Sequence, residues 1–218
     1  MSLVIGICGN IGSGKTTAAE YIKKIYPSAK IYSFADPLKK IGEIFNFEHS
    51  ELYGSQDDKL KINKHWGVSG REFLQKVGTD LFRDRLPEVL PQLKETKSVW
   101  IELFKIKIKQ EPGLYIIPDV RFLDEALAIN QMNGFIIRTV RNCNKALGSE
   151  GKHASELEIE YIKQDYIINN DVNNLEQSQK NIEDIVTHVF NKYKIMTQEN
   201  ISKNNVIAYK SGSLVYNS

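Results

Sequence analysis

Apolar and polar positions fall into blocks whose period changes along the chain. Leu3 to Cys8 is a short unbroken apolar run that stops at a glycine-rich turn, the pattern of a strand buried on both faces of a parallel sheet. Lys15 to Ile25 changes period: Ala18, Ala19, Ile22 and Ile25 recur at helical spacing, and Pro27 ends the segment. Lys30 to Phe34 reads as a second short strand. Asp36-Pro37 offers an N-cap followed by proline at the first helical position, predicting a helix that turns Leu38, Ile41, Ile44 and Phe45 inward. From His49 to Gly70 the chain becomes polar and irregular, with Asp57, Asp58, Lys59, Lys61 and Lys64, which predicts an insert or mobile arm rather than core.

Helical period returns from Gly70 to Leu86 through Phe73, Leu74, Val77, Leu81 and Phe82. Ser98 to Gln110 fits two patterns, an alternating strand at Phe104 to Lys109 and a helix face of Trp100, Ile101, Phe104 and Ile108; the helix is favoured. Leu114 to Pro118 is a compact apolar strand ending in Asp119, Leu123 to Met132 a helix, and Gly134 to Val140 another strand. Asn142 to Lys152 has loop composition, and Ser155-Glu-Leu-Glu158 matches a capping box. Tyr166 to Ile168 reads as the last strand and Leu175 to Phe190 as the last amphipathic helix. Residues 194–218 are rich in Asn and Ser without sustained period, predicting a weakly docked or flexible tail after one domain over 1–193. Strands alternating with helices predict a three-layer α/β fold on a mainly parallel sheet, whose ligands bind at the carboxyl ends of the strands.

Composition narrows the function classes. The 218 residues carry 29 Lys plus Arg against 27 Asp plus Glu, a formal net charge of +2, which argues against a dedicated nucleic-acid binder. Within that balance Lys outnumbers Arg 23 to 6, and all six arginines lie between Arg71 and Arg141. Arginine makes planar forks on phosphate and carboxylate, so its confinement to one region suggests an anion site. The lysines at 94, 97, 105, 107 and 109 read as a solvated face. Two cysteines, Cys8 and Cys143, are too few for a disulfide framework and have no metal-ligand spacing. The first residues lack the basic region of a signal peptide, and no apolar run approaches the roughly 20 residues that span a bilayer, so the expected compartment is the cytoplasm.

Gly9-Asn10-Ile11-Gly12-Ser13-Gly14-Lys15-Thr16 satisfies the phosphate-loop pattern GxxxxGK[ST]. It sits after an apolar strand and before a helix, the context in which backbone N–H groups and a helix N-terminus can cradle phosphates. Asn10, Ile11, Gly12, Ser13, Gly14, Lys15, Thr16 and Thr17 are the candidate ATP-binding residues, with Lys15 reaching the terminal phosphates and Thr16 ligating Mg²⁺. Asp119, at the tip of an apolar strand, can hold the metal through water, or can serve only as a turn residue. No guanine-reading NKxD tetrad follows a strand. A hydroxyl acceptor would favour a carboxylate base, whereas a phosphate monoester is already a dianion at pH 7 and needs cationic forks instead. Arg71, Arg121 and Arg141 fit that second case, and Arg83 and Arg85 read as a solvated helix face.

Several segments at consistent spacing resemble the deoxynucleoside monophosphate kinases of phages and large DNA viruses. They are Phe34 to Lys39, Arg71 to Asp80, Trp100 to Phe104, Ile117 to Glu125, Thr139 to Arg141 and His153 to Glu156. The resemblance runs from the phosphate loop to about the last helix. It implies a P-loop NTPase fold of nucleoside-monophosphate-kinase type, with an acceptor-binding insert around 47–110 and a lid around 141–155. It also implies an acceptor site lined by Lys39, Arg71, Gly78, Thr79, Trp100, Asp119, Arg121 and Glu125. Trp100 would stack on the acceptor base, although its spacing equally suits a core aromatic, and Asp36 can equally be only an N-cap. Lys15, Arg121 and Arg141 would be catalytic, Thr16 and Asp119 would hold the metal, and Arg141 would close with the lid. Thr16 stands where some phage members have an acid, Ile11 and Gly12 stand where they have basic residues, and His49 to Lys64 is poorly matched. His153 with Glu156 lacks the further ligands of a zinc site.

The expected partners are therefore ATP with Mg²⁺ and a deoxynucleoside monophosphate, with no nucleic acid and no membrane; a homodimer is left open. A kinase of another phosphorylated metabolite, phosphomevalonate for example, and a nucleotide-dependent regulator that transfers nothing are the alternative readings.

Overall fold

A computed structural model describes residues 2–93, 98–141, 158–170 and 175–212. At its centre is a five-stranded sheet, β1 (Leu3–Cys8), β2 (Lys30–Ile31), β3 (Leu114–Ile117), β4 (Phe135–Val140) and β5 (Tyr166–Asn169), in the order β2-β3-β1-β4-β5 with every pair parallel. β1 pairs with β3 from Leu3 opposite Leu114 and with β4 from Ile5 opposite Phe135, and all six of its residues are buried. That explains its unbroken apolar run, since a central parallel strand is covered on both faces.

The pleat sends alternate β1 side chains to opposite layers. Val4 and Cys8 face a cluster with Phe104 of α7 (Val99–Gln110) and Ile129 of α8 (Leu123–Gln131). Leu3, Ile5 and Ile7 face Ala18, Ala19 and Ile22 of α1 (Lys15–Ile25) together with Ile182 and Val186 of a long last helix. The ambiguous segment after Ser98 is therefore helical, and the three-layer α/β expectation holds. The expected loop from Asn142, the capping box at Ser155 and the lysines at 94 and 97 lie outside the described residues.

Several expectations change. The strand predicted over Lys30 to Phe34 pairs only at Lys30 and Ile31, because Ser33 and Phe34 bond to Asp119 instead. Helix α2 (Asp36–Ile44) begins one residue earlier than the cap reading requires: Ala35 is the flanking residue and Asp36 the first helical one, its carboxylate accepting from the Ser33 N–H at 2.9 Å. Ile44 is 78% exposed, because the helix ends there and Asn46 turns the chain at φ 57°. The polar stretch after His49 folds into α3 (His49–Tyr53) and α4 (Gln56–Leu60), with Leu52 buried beside Phe47 and Phe73. It is held there because the buried Glu51 carboxylate accepts from the Asn63 amide at 3.0 Å and 3.2 Å.

The predicted helix from Gly70 is present as α5 (Gly70–Gln75), a wider-wound π stretch (Lys76–Arg85) and α6 (Leu86–Val89). The last helix, α9 (Leu175–Gly212), runs past the expected end at Phe190, and Tyr193 and Met196 still pack on the α1 side of the sheet. Asn and Ser content lowers helix propensity without forbidding a helix that has an apolar face to dock.

The α1 layer gives a direct test of this packing. Ile22 is fully buried, and alanine is the better helix former, so any loss in Ile22→Ala comes from packing. The expected loss is about 2–5 kcal/mol in urea unfolding. A loss below about 1 kcal/mol would show that this layer is not close-packed.

Candidate active site

All five strands run parallel, so their carboxyl ends share one edge, and the loops that leave them meet there. The loop after β1 turns at Gly9 and Gly14, with φ of 145° and 93°. A Cβ on Gly9 would lie 2.4 Å from the Thr139 carbonyl oxygen, and one on Gly14 would lie 1.8 Å from the Asn170 amide nitrogen. Only glycine lets the loop press against the ends of β4 and β5 this closely.

Polar ties hold the loop in place. The Thr139 hydroxyl donates to the Cys8 carbonyl at 3.3 Å, which makes the buried Ser13 hydroxyl the donor in its 2.7 Å bond to Thr139. The Asn170 amide donates to the Ser13 carbonyl at 3.0 Å. Lys15 Nζ donates to the carbonyls of Gly9 at 2.6 Å and Asn10 at 2.8 Å, so the ammonium lies over the loop it serves. Thr16 and Thr17 are exposed in the first turn of α1, Asn10 and Gly12 are exposed, and Ile11 is half-buried. Exposed N–H groups at a helix N-terminus with a lysine above them form an anion cradle.

Beside this loop, the Val120 N–H donates to the Ile7 carbonyl at 3.2 Å, which brings Asp119 and Arg121 to the same rim. Asp119 accepts from the Ser33 hydroxyl at 2.5 Å and from the N–H groups of Phe34 at 3.1 Å and Ala35 at 3.2 Å. It therefore braces the start of α2, the turn-type role left open by its sequence position. On the first turn of that helix, Lys39 lies 3.4 Å from the Asp36 carboxylate and 4.8 Å from the centre of the Tyr53 ring. The Arg71 guanidinium donates to Gln56 at 2.7 Å. Arg141, just after β4, is half-buried, and its Nε has no hydrogen-bond partner among the described residues.

Lys39, Arg71 and Arg121 share a neighbour that no sequence motif marks. The Lys59 ammonium is pushed below its usual range first by burial and then by the positive charges of Lys39, Arg121 and Arg71. The segment that carries it, α4, was expected to be part of an insert or mobile arm, which hid it. Arg83 was also misread as solvated. Its guanidinium stacks 3.8 Å over the Phe122 ring and forks onto Asp124 at 2.6 Å and Glu125 at 3.1 Å. An acid pair three and four residues after Arg121 was the available signal.

Three expected acceptor residues point elsewhere. Trp100 is 6% exposed, packs on Phe82 and donates its indole N–H to the Gly78 carbonyl at 3.2 Å, so it is a core aromatic rather than a base-stacking surface. Gly78 is buried against Leu38, where a Cβ would approach to 2.5 Å. Glu125 is buried and accepts from the N–H groups of Arg121 at 2.9 Å and Phe122 at 3.1 Å, closing the first turn of α8. Its role is to fix the backbone that carries Arg121. Thr79 is half-buried in the π stretch.

The profile of the family described as deoxynucleotide monophosphate kinase matches residues 42–182. The chain belongs to this family. A protein of Acanthamoeba polyphaga mimivirus, provisionally named as a deoxynucleotide monophosphate kinase, is 38% identical over 74% of this chain and 84% of its own length. The deoxynucleoside-5′-monophosphate kinase of Escherichia phage T5 is 26% identical over 61% of this chain and 74% of that protein. The crystal structure of TT1252 from Thermus thermophilus shares 15% identity at a TM-score of 0.47, covering 88% of this chain and 97% of its own, a likeness too distant to bear on the site. The phosphate loop lies before the stretch that defines family membership, so the two observations are independent.

In this family member the Glu125 carboxyl is pushed up to about 8 by burial, helped by the charge of Asp119, while the N–H groups of Arg121 and Phe122 and the Arg83 cation pull the other way. Asp124 remains to meet the Arg83 charge. With a folded value above the ordinary 4.5, Glu125 keeps its proton where the unfolded chain has lost it. Its contribution to stability is present at low pH and declines as pH rises through about 8. Urea midpoints at pH 5 and pH 8 should fall further in the wild type than in Glu125→Gln, and equal falls would refute the assignment.

Proposed function

We propose that this protein transfers the γ-phosphoryl group of ATP to the phosphate of a deoxynucleoside monophosphate, giving a deoxynucleoside diphosphate and ADP for DNA precursor synthesis. The observation that carries this reading is the family match over 42–182 beside a separate phosphate loop at 9–16. Among the described residues no helix is long and apolar enough to cross a membrane. The cytoplasm, of a host cell if the gene is viral, is the compartment that fits a DNA-precursor enzyme.

Kinases of this kind work with a nucleotide and a divalent metal, and Mg²⁺ suits these residues. Among the described residues no cluster of three His, Cys, Asp or Glu forms a cage for an ion. Mg²⁺ needs none, since it keeps several waters and takes one or two protein oxygens plus substrate phosphates. Thr16 offers its hydroxyl in the first turn of α1, and Asp119 has one lone pair left beyond its three donors with which it would accept from a metal-bound water. The metal, when bound, neutralises charge on the β- and γ-phosphates.

The chain's own residues do the positioning. The loop N–H groups and the N-terminus of α1 hold the phosphates of ATP, and Lys15 exchanges its bonds to Gly9 and Asn10 for the terminal phosphate oxygens. The acceptor phosphate is largely a dianion at pH 7, so one of its oxygens attacks the γ-phosphorus with no protein base required. The new P–O bond forms as the bond to the β-phosphate oxygen breaks and ADP leaves. Lys39, Arg71 and Arg121 hold the acceptor against its own repulsion from ATP, and Arg141 adds its charge beside them; the rest of the expected lid lies outside the described residues. The segment 47–110 acts as the acceptor arm, with Gly78 and Trp100 shaping its floor from below and Thr79 nearer the surface.

A coupled ADP assay against the four common deoxynucleoside monophosphates and phosphomevalonate decides the acceptor. Turnover is expected with at least one deoxynucleotide, and kcat/KM is expected to fall about 100-fold or more in Lys15→Ala. Turnover with phosphomevalonate alone, no acceptor-dependent ADP, or full activity in Lys15→Ala would each sink the proposal.

A further inference from the structure

We infer that helix α4 is part of the acceptor site and that Lys59 binds the acceptor's phosphate group, an inference that rests on the proposed kinase reading. Gln56 on α4 accepts from the Arg71 guanidinium at 2.7 Å. Lys59 lies three residues further on, and side chains at that spacing share a helix face. The helix is fixed at its start, where the Ser55 hydroxyl accepts from the Asp58 N–H at 3.1 Å and the Asp58 carboxylate accepts from the Ser55 N–H at 3.1 Å. On the preceding helix, Tyr53 lies under the Lys39 ammonium. Helices α3 and α4 thus face the cations on α2 and α5 from one side, with Arg121 arriving from the rim of the sheet.

The acids beside Lys59 are directed elsewhere. Asp58 accepts from Lys61 at 2.7 Å and from the Ser55 hydroxyl at 2.7 Å, and Asp57 is exposed. Among the described residues no carboxylate pairs with Lys59. A surface lysine with a flexible stem would ordinarily swing into water, away from three like charges. Lys59 instead stays half-buried among them, and its proton is held less firmly as a result. The positive charges of Lys39, Arg71 and Arg121 act on Lys59, the Asp36 carboxylate lies 3.4 Å from Lys39, and a phosphate dianion bound beside α4 accepts charge-assisted bonds from this group. Arg71 is held in orientation by Gln56, whereas a lysine supplies a compact charge that can follow the phosphate as it moves toward ATP.

Calorimetric titration with each of the four common deoxynucleoside 5′-monophosphates tests the role of Lys59 without needing turnover. Lys59→Gln should bind the preferred monophosphate about tenfold more weakly or worse, Lys59→Arg should recover part of the loss, and the affinity for ATP should stay within about twofold. Lys61→Gln, which removes the neighbouring lysine paired with Asp58, should bind like the wild type. Equal monophosphate affinity in Lys59→Gln and the wild type, or an equal loss for ATP and monophosphate, would overturn the inference. A wild type that binds monophosphates through Lys59 but transfers no phosphoryl group would refute the kinase reading alone, and one that binds none would refute both.

Discussion

Leu3–Cys8 is hydrogen-bonded on both edges, to β3 and to β4, and buried on both faces between α1 with α9 and α7 with α8. That double confinement leaves the strand one direction in which to release the chain, its carboxyl end. Because its neighbours run parallel, their ends open onto the same edge, so the loop at Gly9, the brace at Asp119, the hydroxyl of Thr139 and the amide of Asn170 arrive together. An antiparallel partner beside β1 would have carried either Asp119 or Thr139 to the opposite end of the sheet. The site is in this sense a consequence of how β1 is packed.

The two halves of the site are built on different physics. The phosphate loop is held rigidly, by glycines that admit close backbone approach and by the buried Ser13–Thr139–Cys8 bonds, so its N–H groups need little reorganisation when phosphates arrive. In the proposed acceptor site, Lys39, Lys59, Arg71 and Arg121 come from separate elements, and the charges of the other three act on Lys59. Small polar bonds to Asp36 and Gln56 hold two of these side chains in place. The fork of Arg83 onto Asp124 and Glu125 is largely sheltered from water and stiffens the start of α8, and Glu125 also accepts from the N–H of Arg121, which precedes that helix.

Period and punctuation were enough to read β1, β3, β4, β5, α1 and α8, because each buries a face whose spacing is set by backbone geometry, whereas β2 was read too long and α7 fitted two patterns. The phosphate loop was equally legible, since its glycines are required by backbone angles and close contacts that other residues cannot meet. The polar stretch after His49 was misread because its order depends on few apolar residues, Leu52 above all, and on a buried Glu51–Asn63 pair that hydropathy scores as solvent-facing. Arg83 was misread and Trp100 left open for the same reason: a charged side chain on a helix face and an aromatic at helical spacing each have two outcomes. The Asp124–Glu125 pair in one case and the Gly78 carbonyl in the other decided them.

The sequence by itself determined the class of fold and the phosphate-loop motif, because local backbone chemistry and hydrophobic period carry that information over a few residues at a time. Only the tertiary structure decided which cations stand together. Lys39, Lys59, Arg71 and Arg121 are separated by 20, 12 and 50 positions along the chain, and nothing local in any of their segments specifies the others. Their convergence follows from packing α2, α4 and α5 beside the carboxyl edge of a parallel sheet, a long-range arrangement that depends on the whole core.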